Sequence, residues 1–308
     1  LFFSSILQEQ APMFFSKMKS RSSIIRKSLA SNTNIETSEL LAEAIETDNT
    51  DLLQTILSKN NIPIDFHLTF SLTKNNAYKE LNQNSPSLIE YAAFQGSINT
   101  FKFLLLNNTK FYDEIMLCAI AGGSFDIIHL VESKGIEFNS KCIETAIQFQ
   151  QNDMVSYIID NYEIEMNNDI FLLCIEYYNI PLFLDNIELF RSDENLLNNA
   201  FILACQKSEL DIVKMLSLFL KKLNYRGLTI AAEYGNLEII QYLIDVRKYD
   251  ANSKCENNWT PLFYAVKHNK KEIVEYLLSL PNIDVNAQDT EISNSKSFTE
   301  FKTLIYQT

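Results

Sequence analysis

The sequence is poor in residues that break helices and in residues that build reactive centres. Six glycines and six prolines in 308 residues leave long stretches uninterrupted, which favours helices joined by short turns. Those glycines form no G-x-G-x-x-G and no phosphate-cradling loop. The three histidines, His67, His129 and His268, stand in no ligand spacing with one another or with a cysteine, so no metal pattern is present. Five cysteines without a C-x-x-C pair make neither a disulfide framework nor a redox motif. They point to reduced thiols in the cytoplasm, or in the nucleus. No apolar run approaches the roughly 18–20 residues a membrane span needs. The opening LFFSSIL lacks a basic leader and ends at Gln8-Glu9-Gln10, unlike a secretory signal. The chain begins on Leu rather than Met, which leaves a longer protein open.

What is present is acid and apolar bulk. The net charge is −13 and 46% of residues are hydrophobic, enough for a sizeable core. The charge is uneven. Residues 1–35 carry Lys17, Lys19, Arg21, Arg26 and Lys27 against Glu9 alone, while the remaining 21 basic and 38 acidic residues leave −17. An acidic body weighs against nucleic acid as a partner. The basic stretch reads as a solvated arm or a capping helix, with contact to nucleic acid or an anionic membrane surface as the lesser reading.

A helix pair recurs along the chain. In ENNWTPLFYAVKHNKKEIVEYLL, from Glu256, Thr260 caps a first helix and Pro261 suits its first position. Ala265 is small enough for close helix packing, and Ile273, Val274, Leu277 and Leu278 make the apolar stripe of a second helix. Aligned on the small residue, the anchors are Ala44, Ala92, Ala119, Ala146, Cys174, Ala204, Ala231 and Ala265, spaced 48, 27, 27, 28, 30, 27 and 34 apart. Nine positions after each anchor stands an apolar residue: Leu53, Phe101, Ile128, Val155, Phe183, Val213, Ile240 and Val274. Seven positions after it, six of the eight residues are acidic, as suits a helix start. A unit repeated near this period is a solenoid, each member burying its apolar face only against its neighbours.

The stretch WTPLFYAVKHNKKEIVEYLLSLPNIDVNAQD resembles an ankyrin repeat, with TPLFYA and DVNAQD in the family's places. LTIAAEYGNLEIIQYLI from Leu228 and LIEYAAFQGSINTFKFLL from Leu88 are similar to it, whereas Asn186 stands at a usual core Leu position. The likeness spans residues 37–289 and is to the divergent, Asn-, Lys- and Ile-rich members found in protists. It implies an all-α, ankyrin-type solenoid of about eight stacked helix pairs. The 27-residue units are shorter than the family's ~33, so the β-turn fingers should be short. It also implies a monomeric, non-enzymatic scaffold without cofactor, holding an unidentified protein partner on its concave face. The face is lined by the two residues that follow the helix-end pair: Phe94 and Gln95, Phe149, Tyr177, Glu233 and Tyr234, and Lys267 and His268, with Trp259 beside them. Lys270 and Lys271, in the turn to the outer helix, should be silent in binding. Two other readings stay open: a targeting or regulatory subunit whose activity lies outside this chain, and membrane-surface association through the basic arm.

The array is expected to be bounded by the arm or cap of residues 1–36 and by a cap or tail over 290–308. An Asn-rich insertion at 58–84 interrupts it. There, Ile64, Phe66, Leu68, Phe70 and Leu72 alternate with polar residues, which predicts a half-buried strand. Cys118, Cys174 and Cys205, at or beside anchors, read as core; Cys142 and Cys255, near repeat junctions, are the two expected to reach the surface. Gly96, Gly123 and Gly235 are expected in the turn between the paired helices.

Overall fold

The computed structural model describes residues 33–69, 78, 81, 85–162, 164–220, 224–255 and 259–285. Within them lie sixteen α-helices in eight antiparallel pairs. The chain falls into two compact units divided after Tyr162. The first holds α1 (Thr33–Glu46) with α2 (Thr50–Lys59), α3 (Leu88–Gln95) with α4 (Ile98–Leu106), α5 (Ile115–Ala121) with α6 (Phe125–Glu132), and α7 (Ser140–Gln148) with α8 (Asn152–Asn161). The second holds α9 (Asn168–Glu176) with α10 (Ile180–Asn186), α11 (Glu194–Lys207) with α12 (Leu210–Phe219), α13 (Arg226–Tyr234) with α14 (Leu237–Gln241), and α15 (Pro261–Lys267) with α16 (Lys271–Ser279). In each unit the first helices of successive pairs pack side by side: α1, α3, α5, α7 in one and α9, α11, α13, α15 in the other.

The register follows from burial. All eight anchors are fully buried, and so are the apolar residues nine positions on, with Val274 the least so at 5% exposure. The anchors sit where a first helix meets its partner and its neighbours, and only a small side chain fits between backbones that close. Each first helix then ends in the same way. The residue four after the anchor has positive φ: Asp48, Gly96, Gly123, Gln150, Tyr178, Ser208, Gly235 and Asn269. The next backbone N–H donates back to the anchor carbonyl at 2.7–3.4 Å, as in Asn179 to Cys174 and Ser124 to Ala119. A left-handed residue with this long reverse bond is the Schellman ending, which reverses the chain within a few residues. Tyr178 and Gln150 hold it without glycine, at a cost of about 1 kcal/mol each.

Three of the second helices start on side-chain caps. Asn49, Ser124 and Asn179 accept from the backbone N–H three residues on, and Thr260 does the same for α15, with Pro261 behind it. Asn186 ends α10 early, its amide donating to the Leu182 carbonyl at 2.8 Å. The chain then tightens into a 3-10 turn, Ile187–Phe190, which buries Ile187 instead.

Two expectations are corrected here. The short β-turn fingers are absent: there is no strand among the described residues, and each connection runs from one helix end to the next. In the second unit the connector from α14 to α15 is the longest, and there the Cys255 N–H donates to the Trp259 carbonyl at 3.1 Å. Repeats of 27–30 residues spend most of their length on helices, and what is left cannot make two paired strands. The strand expected from Ile64 is likewise not formed. Its alternation survives as burial, with Leu68 buried and Phe66 half-buried between exposed Asp65, His67 and Thr69. Pairing stops at one antiparallel bridge, His67 with Ser87, because the opposing chain enters α3 at Leu88. Phe70 and Leu72, the basic arm up to residue 32 and the C-terminal segment 290–308 lie outside the described residues.

Candidate functional site

In the first unit a continuous path crosses the helix ends. The Tyr91 hydroxyl donates to Glu46 Oε1 at 2.7 Å. The Tyr91 ring stacks against Phe94 at 6.4 Å between centroids, and Phe94 meets Phe149 edge-on at 5.7 Å. Tyr78, from the insertion, closes on Phe94 at 5.4 Å. Phe94 and Phe149 belong to the second and fourth pairs. They touch across the third because the matching positions there are Ala121 and Gly122, which present almost no side chain. Gln95 is exposed, and its side chain hydrogen-bonds Tyr91. Burial, followed by the Glu46 carboxylate, pushes the Tyr91 phenol well above its ordinary value.

The second unit carries a ladder of pairs. The residue two after one anchor meets the residue three after the next. Glu176 pairs with Lys207; Gln206 Nε2 donates to the Tyr234 hydroxyl at 2.9 Å; Glu233 lies 3.5 Å from His268 Nε2. At the end of the row the Lys267 ammonium sits 4.2 Å from the centre of the Trp259 ring. Trp259 also packs on Phe263 at 4.6 Å and on Tyr264 at 5.3 Å, and Tyr264 stacks on His268.

Residues 201–289, from α11 through α16, match the family model described as ankyrin repeats (3 copies). An ankyrin-repeat domain is present in this chain. Residues 106–186 match a second model, a domain of unknown function (DUF3447). No curated protein matches. Among solved structures, the crystal structure of the human ASB11 ankyrin repeat domain is similar at 15% identity, covering 79% of this chain and 99% of that one, with a TM-score of 0.31.

The residues expected to line a binding face thus fall into three groups. Phe94 and Phe149 come together, as do Glu233 with His268 and Lys267 with Trp259; Tyr234 is 46% exposed and meets Gln206. Gln95 faces solvent beside Tyr91, and Tyr177 is half-buried at the end of α9. Missed in the sequence were Tyr91 and Tyr264, each one residue before an anchor. The signal was available: a residue four before Gln95 or His268 lies on the same helix face. Lys270 stands in the turn before α16. Its ammonium donates to the Tyr234 carbonyl at 3.0 Å, so it ties two repeats of the ankyrin-repeat domain together. Ser97, Gln151 and Asn236 make the same kind of tie, to the carbonyls of Ile45, Ala121 and Cys205.

No group of three or more His, Cys, Asp or Glu among the described residues could hold a metal ion. No helix among them is long and apolar enough to cross a membrane. Cys118, Cys174 and Cys205 are buried, and burial pushes the first two thiols up to about 12 and the third higher still. Cys142, expected at the surface, is buried as well, because its thiol turns in to cap α7 beneath the Asn139 N–H. Only Cys255 is half-open, with Sγ 3.7 Å from the Tyr264 hydroxyl. A maleimide reagent should therefore modify one thiol quickly in the folded protein and all five in denaturant. Cys255→Ser should remove the fast phase. Fast labelling of two or more thiols would place another cysteine outside the core.

One carboxyl is displaced from its ordinary range. Glu209, the residue before α12, is held up at about 7, first by burial and then by the charge of Asp211. Tyr178 of the preceding pair also faces it. The folded state binds this proton more tightly than the unfolded chain. Its stabilising contribution is therefore full below about pH 4.5 and is lost as pH rises through about 7. Glu209→Gln should raise the denaturant midpoint at pH 8 more than at pH 5. Equal shifts at both pH values would show that Glu209 ionises normally.

Proposed function

We propose that the chain is a non-enzymatic scaffold that holds a partner protein on the concave face of its repeats, along the inner-helix ends and turns. The observation that carries this reading is the row of cross-repeat contacts among Glu176, Lys207, Gln206, Tyr234, Glu233 and His268. Such contacts knit side chains from successive repeats into one surface without burying them. A linear array offers many such positions, and rings already held by neighbours lose little freedom when a partner covers them. The ankyrin-repeat match over residues 201–289 supports a protein-binding role in general. We take the scaffold to be a monomer of the cytoplasm or nucleus.

A photo-crosslinking residue at position 95, 177 or 234 should capture a partner from lysate of the source cells. The same group at Ser156 or Lys214, exposed on outer helices, should not. Trp259→Ala and Tyr234→Ala should each weaken binding about thirtyfold, the effect of losing about 2 kcal/mol at a central aromatic, with the melting temperature unchanged. Glu233→Gln and Lys267→Gln should act more on association rate and salt dependence. Equal capture from inner and outer positions would end this assignment of the face.

A further inference from the structure

We propose that the inner-helix face of the first unit binds a basic partner segment, one that presents arginine. This rests on the scaffold reading above and adds the chemistry of what is held. The path from Glu46 through the buried Tyr91 to the half-buried Phe94 and Phe149 sets a carboxylate beside two partly open rings. Glu43 and Glu46, one turn apart on α1, are both exposed. Neither takes part in an ion pair among the described residues. The four inner helices of this unit carry a single basic residue, Lys141, at the start of α7. That is about 12 Å along the helix from the end where Phe149 stands.

The second unit differs at the matching positions. There Glu176 has Lys207, Glu233 has His268, and the charge of Lys267 rests on Trp259. Its ions at these positions are neutralised from within, whereas Glu43 and Glu46 have no counterion among the described residues. A guanidinium is the group that satisfies both parts of the first-unit path. It stacks flat on an aromatic ring and donates two parallel hydrogen bonds to a carboxylate. An ammonium takes the charge but not the stacking. The net charge of −13 draws cations in and repels nucleic acid and anionic lipid.

The test uses the full chain and fluorescent nona-arginine, nona-lysine and nona-glutamate peptides, followed by anisotropy at about 0.15 M salt. Nona-arginine should bind, nona-lysine about tenfold more weakly, and nona-glutamate not at all. Glu43→Gln with Glu46→Gln should weaken nona-arginine about tenfold, since two facing charges are lost while the glutamine oxygens can still accept from Tyr91. Asp153→Asn with Asp160→Asn makes the same charge change on the outer helix α8 and should cost less than twofold. Phe94→Leu should narrow the gap between arginine and lysine. Equal losses from both double variants would mean diffuse attraction to an acidic protein and would overturn the proposal. So would failure of nona-arginine to bind, or an unchanged gap in Phe94→Leu. The scaffold reading would then still stand or fall on crosslinking from positions 177 and 234 in the other unit.

Discussion

Gly122→Ala is expected to destabilise the first unit by about 3 kcal/mol, the upper end of what overpacking costs. A Cβ there would lie 2.3 Å from the Ala93 carbonyl oxygen and 2.8 Å from that of Phe94. Both are backbone atoms at the end of α3, so neither can turn aside as a side chain would. The only relief is for α5 to move away from α3, which opens the packing around Ala92 and Ala119. Gly122 has an ordinary helical φ of −75°, so contact alone sets the cost. Its neighbour Gly123 makes the comparison. It has φ +67°, and the nearest atoms to a Cβ there are those of the Gln151 side-chain amide. Gly123→Ala should cost about 1 kcal/mol for the left-handed backbone, plus whatever the movement of Gln151 adds. Denaturant midpoints of the two variants decide the matter. A Gly122→Ala protein as stable as Gly123→Ala would mean that the second and third repeats are not in backbone contact. Loosening that contact should also part Phe94 from Phe149, so partner binding should fall with stability.

Ala231→Asp should abolish the folded ankyrin-repeat domain near physiological temperature. Ala231 is fully buried on α13, between α11 and α15. Its carbonyl already accepts from the N–H groups of Gly235 and Asn236. A carboxylate placed there would be buried without a partner, which costs about 3–5 kcal/mol, a large part of a domain's total stability. The helical circular dichroism signal of residues in this unit should be lost, with partial recovery in acid as the new carboxyl takes up a proton. Ala231→Cys gives the opposite result: Cys174 fills the anchor of the α9 pair with no exposure, so a thiol fits this kind of site. An Ala231→Asp protein that melts within a few degrees of the parent would show that the anchor register is wrong.

The sequence by itself determined the register of the repeats. An anchor and its partner nine residues on belong to one hairpin, and a hairpin buries residues in an order set by the 3.6-residue period. The order reads out at Ala44 and Leu53 as clearly as at Ala265 and Val274. Helix starts were legible for the same reason, since a cap such as Thr260 acts on an N–H three residues away. Left-handed turn residues were most legible where they are glycine. Tyr178 and Gln150 adopt that backbone because the helices on either side are held by packing, which overrides local preference. Tertiary structure alone decided what meets across repeats. Alternation around Leu68 signalled burial, but a strand also needs a neighbour that stays extended, and α3 begins too soon. Phe94 reaches Phe149 because Gly122 between them has no side chain, a fact about three repeats at once. Lys270 ties to Tyr234, and Cys142 turns inward, because a flexible side chain takes the nearest unsatisfied group or apolar surface. The Tyr234 carbonyl lies on another helix, at a separation that no local spacing encodes, whereas Asn139 stands three residues before Cys142, a capping spacing that the sequence carries.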